Sequence, residues 1–142
     1  MTDTILLHLR SLSADDPVEA VYYSPASGPR ALGRITLADA AMRASGKRVL
    51  AVLPATDVLA LSLTLPDAAS SKLRASLPFA LEEQVACDIE TQHCALGPRM
   101  VDGRWPVRVI ARVRLEAWLT LLRAAGIEPQ SMVSAADGLR EK

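Results

Sequence analysis

The stretch from Val49 to Pro66, VLAVLPATDVLALSLTLP, contains two different apolar patterns in succession. Val49 to Leu53 is an unbroken apolar run of strand length, which predicts a strand buried on both faces. Pro54 ends it, since proline has no N–H for a sheet ladder. Leu59, Leu61, Leu63 and Leu65 then alternate with Ala60, Ser62 and Thr64. That period-2 pattern predicts a strand with one face on a core and one meeting something smaller or wetter.

Toward the N-terminus the same alternation recurs. Ile5, Leu7 and Leu9 alternate with Leu6, His8 and Arg10, a half-buried strand. Ser11 to Asp16 is a polar turn, Val18 to Ser24 a second strand, and Pro25 to Pro29 a strong turn signal. A third short strand over Ala31 to Ile35 completes an expected antiparallel meander. Thr36 with Asp39 resembles a capping box. Leu37, Ala40, Ala41 and Ala44 then share a narrow helical face, and Gly46 is a natural stop.

Toward the C-terminus, Pro66-Asp67 opens a helix whose Leu73, Leu77, Leu81 and Val85 fall four apart. Pro78 lies inside it, removing a donor and crowding the Arg74 carbonyl, which predicts a kink or break near Leu77. Phe79, the single phenylalanine, is off the leucine stripe. Either the kinked helix buries two faces between two lobes, or Phe79 is an exposed anchor for a partner. Next come a strand over Gln92 to Leu96, a hairpin turn at Asp102-Gly103 and a longer strand from Trp105 to Val113. On that strand Val107, Val109, Ala111 and Val113 share one face, opposite Arg108, Ile110 and Arg112. A helix with Leu115, Trp118, Leu119 and Leu122 on one side ends at Gly126, although Val113-Arg114 offers it no capping oxygen. Ser131 to Ala135 starts another strand.

Bulk properties narrow the function classes. Sixteen basic and sixteen acidic side chains give zero formal charge, so no whole-chain electrostatic case for nucleic acid exists, although a local basic patch stays open. Only 4% of residues are aromatic, which leaves few platforms for stacking bases or sugars. No run approaches the roughly 18 apolar residues of a membrane span, and Met1 to Thr4 lacks the features of a secretory signal, so a cytosolic start is expected.

Chemistry is sparse. Cys87, His93 and Cys94 have no CxxC and no second ligand pair, so ordinary thiols are expected there rather than a metal site. A cysteine nucleophile served by His8 or His93 has no supporting pattern. Glu82, Glu83, Asp88 and Glu90 read as a solvated helix end, a docking rim or, least well supported, a cation site. Arg108 and Arg112 read as charges that guard a strand edge. The turn after the first strand has no glycine and carries Asp15 and Asp16, which would repel a polyphosphate unless a metal intervened. No GxxxxGK motif occurs.

The chain resembles the L component of the type II secretion systems of Gram-negative bacteria. The residues that carry the resemblance are Val52-Leu53-Pro54 leading into Leu59 to Pro66, LPFALEEQ from Leu77 to Gln84, HCALG from His93 to Gly97, and GRWPV from Gly103 to Val107. LEAWL from Leu115 to Leu119 and AAGIEP from Ala124 to Pro129 continue it over nearly the whole chain, and LPFALEEQ is its most specific part. The element order also matches the beginning of actin-like folds. The resemblance implies an α+β, mixed-sheet, ribonuclease-H/actin-like half domain. Residues 1–66 would form its first lobe, 67–129 a small inserted α-β-β-α subdomain, and 130–142 a strand returning to the first lobe with a truncated tail.

It further implies a scaffold rather than an enzyme, with no cofactor. The full-length protein would be single-pass, with this part on the cytoplasmic face of the inner membrane. There it would recruit the N-terminal domain of the secretion ATPase, the E component, and would meet the M component through parts outside this segment. The expected docking residues are Phe79, Glu82, Glu83 and Asp88. Two other readings stand beside it: an actin-like nucleotide-binding protein of the pilus-assembly type, and a self-associating module, such as a homodimer, using a strand edge or helix.

Overall fold

A computed structural model describes residues 3–66, 70–84 and 88–138. The predicted helix start at Asp67, Val85 of the leucine stripe, Cys87 and the tail from 139 to 142 lie outside the described residues. The chain divides into two compact units, Met1–Ala55 with Glu116–Lys142 and Thr56–Leu115.

The first unit holds a five-stranded mixed sheet. Its strands are β1 (Thr4–His8), β2 (Val18–Ser24), β3 (Gly28–Ile35), β4 (Arg48–Leu53) and, far along the chain, β8 (Ser131–Ser134). The spatial order is β3-β2-β1-β4-β8. Short turns make β1, β2 and β3 antiparallel, whereas β4 runs parallel to β1 and β8 parallel to β4. The β1 alternation appears as expected: Ile5, Leu7 and Leu9 are buried and their neighbours partly exposed. In β3, Ala20 faces Gly33 and Val21 faces Ala31, leaving Leu32 unpaired in a bulge. Gly33 has φ 76°, a conformation that glycine adopts without a Cβ penalty.

Helix α1 (Leu37–Ala44) packs on β1 and β2 with Leu37, Ala40 and Ala44 buried. Thr36 Oγ1 accepts from the Asp39 N–H at 3.0 Å, the predicted cap. Helix α3 (Arg112–Ala124) ends in a Schellman motif. The Ile127 N–H bonds to the Leu122 carbonyl at 2.9 Å and the Gly126 N–H to that of Arg123 at 3.0 Å, with Gly126 at φ 85°. Leu122 and Ile127, the residues this motif brings close, are both buried.

The second unit is a three-stranded antiparallel sheet in the order β5-β7-β6, built from β5 (Val58–Leu63), β6 (Gln92–Leu96) and β7 (Trp105–Ala111). Helix α2 (Ser70–Gln84) covers one face. Its Leu73, Leu77 and Leu81 form one core with Leu63, Leu65, Val107 and Val109.

Four expectations need correction. Both boundaries of the expected inserted α-β-β-α subdomain, 67–129, lie earlier: β5 belongs to the second sheet, because its leucines share a core with the α2 stripe, and from Glu116 onward α3 belongs to the first unit. Helix α2 is not broken near Leu77 and stays helical through Pro78, losing one donor while its leucines remain anchored in the core. The last long strand stops at Ala111 rather than Val113. Ala111 is the last β7 residue with a ladder partner, Gln92, and the good helix formers that follow turn into α3. Val113 is consequently exposed. Finally, Arg108 guards no edge, since β7 is the central strand and Arg108 lies between Ala60 and Ala95.

Leu81 is fully buried in the second unit's core. Replacing it by alanine should remove about 2–5 kcal/mol of that unit's stability, read as a lower urea midpoint by circular dichroism.

Candidate docking surface

Helix α2 has one apolar side and must bury it; its other side is free of that demand. At about 100° per residue, Leu73, Leu77 and Leu81 point into the core, and Lys72, Ala75, Phe79 and Glu82 point about 180° away. All four of these are exposed, Phe79 at 65%. Phe79 is thus exposed rather than buried. Glu83 is exposed at the edge of the same stripe.

Phe79, Glu82 and Glu83 are therefore together, at i, i+3 and i+4 on one helix surface. Asp88 does not lie on α2. It precedes a single 3₁₀ turn, Ile89–Thr91, and caps it. Its Oδ1 accepts from the Glu90 N–H at 3.2 Å, and its carbonyl accepts from the N–H and hydroxyl of Thr91. Lys72 and Ala75 were missed by the sequence reading. Their signal was their spacing of seven and four residues before Phe79.

The α2 charges are arranged against the helix's own dipole. Lys72 and Arg74 lie near the N-terminal end, where the partial charge is positive, and Glu82 and Glu83 lie near the C-terminal end, where it is negative. Among the described residues none of these four enters an ion pair. Lys72 in the first turn and Glu82 and Glu83 in the last each cost the helix roughly 0.3–1 kcal/mol. No contact within the described residues offsets that cost.

Elsewhere the chemistry is occupied locally. In the turn after β1, the Ser13 N–H donates to Ser11 Oγ at 3.1 Å, the Asp15 N–H to Ser13 Oγ at 3.4 Å and the Asp16 N–H to the Ser13 carbonyl at 3.2 Å. Three of the N–H donors that a phosphate-binding turn would present, those of Ser13, Asp15 and Asp16, are engaged by the turn itself. Cys94 packs against the second unit's core, and His93 beside it is exposed. No group of three or more metal-ligating side chains occurs among the described residues. Arg112 Nε bonds the Gln92 carbonyl at 3.0 Å. A cavity of about 260 Å³ in the first unit lies between the end of α1 and the connection from α3 to β8, lined by Lys47, Glu128 and Gln130 among others.

A second polar constellation surrounds Tyr22. Its hydroxyl donates to the Asp3 carboxylate. The Arg30 guanidinium and the Lys47 ammonium lie 5.5 and 5.7 Å from its ring centroid. The hydrogen bond to Asp3, then burial, then the Asp3 charge hold the Tyr22 pKa above its ordinary 10.0, opposed by Arg30.

A family model for type II secretion system protein L matches residues 25–140. Type II secretion system protein L of Pseudomonas aeruginosa is 47% identical over 87 residues, 61% of this chain and 23% of that relative. The cytoplasmic domain of EpsL, an inner-membrane component of the type II secretion system of Vibrio cholerae, superposes with a TM-score of 0.72 at 22% identity. That match covers 94% of this chain and 57% of the domain. A Bacteroides thetaiotaomicron protein described as having an actin-like ATPase fold and unknown function matches with a TM-score of 0.51 at 13% identity, over 99% of this chain and 55% of that one. The fold is the mixed α+β, actin-like one expected, and the chain spans under a quarter of the Pseudomonas relative's length. Among the described residues no helix is long and apolar enough to cross a membrane.

The Tyr22 contact yields a pH prediction. A phenol whose folded pKa is raised contributes stability that is complete below the ordinary value and is lost as pH rises through the raised one. In a Tyr23→Phe background, absorbance titration should show Tyr22 ionising above 10.0, and Asp3→Asn should bring that step down.

Proposed function

This chain belongs to the type II secretion system protein L family, and from that premise we propose that it is a non-catalytic docking module of the secretion platform. It recruits the secretion ATPase by binding that enzyme's N-terminal domain. The observation that carries this reading is the outward stripe of α2, where an exposed aromatic side chain sits beside carboxylates that enter no ion pair among the described residues. Large aromatics surrounded by a charged rim are the residues that most often dominate protein interfaces. Phe79 acts as the anchor, and Glu82 and Glu83 supply the rim that selects a basic partner surface. Asp88 contributes only charge near that helix end, because its carboxylate serves the local turn.

The module works at the cytoplasmic face of the inner membrane, in keeping with the description of its Vibrio structural neighbour as a cytoplasmic domain of an inner-membrane component. Contact with the M component runs through parts of the protein outside this segment. The non-catalytic reading is supported by the turn after β1, where the Ser13, Asp15 and Asp16 N–H groups are engaged internally and Asp15 and Asp16 are exposed carboxylates.

Calorimetric titration of the chain with the ATPase N-terminal domain tests the proposal. Phe79→Ala should weaken binding about tenfold or more with an unchanged melting temperature, because the ring is exposed. A lower melting temperature with unchanged affinity of the folded fraction would overturn the assignment of Phe79. No binding by the folded wild-type chain would overturn the docking role of this segment.

A further inference from the structure

We propose that the outer edge of β5 takes up an extended segment of a partner protein, one in which apolar and acidic residues alternate, as an added strand of the second sheet. Sheet edges are normally guarded, because their unpaired N–H and carbonyl groups invite another strand. β3, an edge of the first sheet, has Pro29, a bulge at Leu32 and the charges of Arg30 and Arg34. β8, at the other edge, is only four residues long. β5 has none of these devices. Its six residues, VLALSL, contain no proline, glycine or charge, and their register with β7 is unbroken. Ala60 is exposed and Leu59 is 50% exposed, so the middle of the strand is open to solvent. The opposite edge, β6, has no exposed large apolar side chain.

The direction of the β5 backbone groups follows from the ladder. The Gly97 N–H donates to the Pro106 carbonyl at 2.9 Å, so Pro106 turns its backbone toward β6. Along an antiparallel strand this orientation alternates residue by residue, which places Arg108 with Pro106. Their β5 partners, Ala60 and Ser62, therefore point their N–H and carbonyl groups away from β7. Arg104 Nη2 meets one of these groups, donating to the Ser62 carbonyl at 2.8 Å. An incoming strand exchanges both bonds with Ala60 and accepts another from the Ser62 N–H.

The two faces beside this edge select the side chains. Leu59, Leu61 and Leu63 share the face that carries Val107 and Val109, and Leu59 offers an open apolar contact there. The opposite face carries Ala60 and Ser62, with Arg108 across from Ala60 and Arg104 held at the edge. From Gly97 to Ala111 the charged residues are Arg99, Arg104 and Arg108 against Asp102. Arg104 enters no ion pair among the described residues. Its bond to Ser62 leaves guanidinium donors for a carboxylate. A residue opposite Ala60 or Ser62 lies on the arginine face, and its neighbours lie on the leucine face. Acidic residues at the first positions and apolar ones between them match both. The contact is weak, since a few main-chain bonds and one exposed leucine carry it. It lies apart from the outward stripe of α2 and does not rest on the ATPase reading.

Titration of the chain with a short fluorescein-labelled peptide of alternating valine and glutamate tests it, read by polarisation and by amide hydrogen exchange. In the free chain the Ala60 amide should exchange fast, while those of Leu59 and Leu61, which face β7, stay protected. The peptide should slow exchange at Ala60 about tenfold or more. A valine–lysine peptide should bind about tenfold more weakly, and Arg104→Glu should invert that preference. Ala60→Pro should weaken binding about tenfold or more with little change in melting temperature, because the lost N–H is outside the β5–β7 ladder. Should that variant prove unstable, the exchange pattern and the Arg104→Glu inversion still decide. Phe79→Ala should leave peptide binding unchanged, which separates this edge from the α2 dock. No peptide binding overturns the proposal, as does binding that leaves Ala60 unprotected or is indifferent to Arg104→Glu. Protection of Ala60 that grows with chain concentration alone assigns the edge to a second copy and also overturns it.

Discussion

The chain depends on one strand that is paired in parallel on both sides. In β4, Ala51 lies between Leu7 of β1 and Met132 of β8. A parallel partner cannot be reached by a tight turn, so each of these pairings demands a crossover. The first crossover contains α1. The second contains everything from the end of β4 to β8, including the whole second sheet. The backbone marks the closure: the Gln130 N–H donates to the Val49 carbonyl, and the Gln130 side-chain oxygen accepts the Val49 N–H. Burial at Ala51, Val52 and Leu53 follows from that central position.

Because β4 and β8 hold the two ends of the excursion, the second unit can be built around its own small core. Three leucines of α2 and two of the β5 segment suffice for it, with Val107 and Val109. That core engages only one side of α2. The opposite side is left to surface chemistry, and it carries Phe79 and charges set against the helix dipole. A helix selected for stability alone would carry acids at its start and bases at its end. Helix α3 also begins on bases, but its Arg112 and Arg114 are engaged by the Gln92 carbonyl and Asp57, whereas in α2 the charges set against the dipole share the outer face with the exposed phenylalanine.

Much of this was legible in local patterns. The Ile5, Leu7, Leu9 alternation, the Thr36 cap, the Gly126 stop and the leucine stripe each follow from periodicity or capping chemistry, which are short-range and visible in a window of a few residues. Errors arose where the deciding partner is distant. β5 reads as a half-buried strand in either sheet, and only its pairing with β7 shows which. Pro78 reads as a breaker because its lost donor is a local fact, whereas the core that holds Leu77 and Leu81 in place is assembled from β5 and β7. Arg108 reads as an edge charge until β6 is seen on its other side.

The residues proposed for docking divide along the same line. Phe79, Glu82 and Glu83 stand out from sequence because an aromatic off a leucine stripe beside two acids breaks the expected pattern. Asp88 was grouped with them by charge alone, and its carboxylate is engaged in a local turn. By itself the sequence determined the elements, their caps and the family, since each of these is written in contiguous residues. Tertiary structure alone decided which sheet β5 joins and that α2 passes intact through Pro78. It also decided that Phe79 faces solvent, because each of these outcomes depends on contacts between segments tens of residues apart, whose energies exceed the local preferences they override.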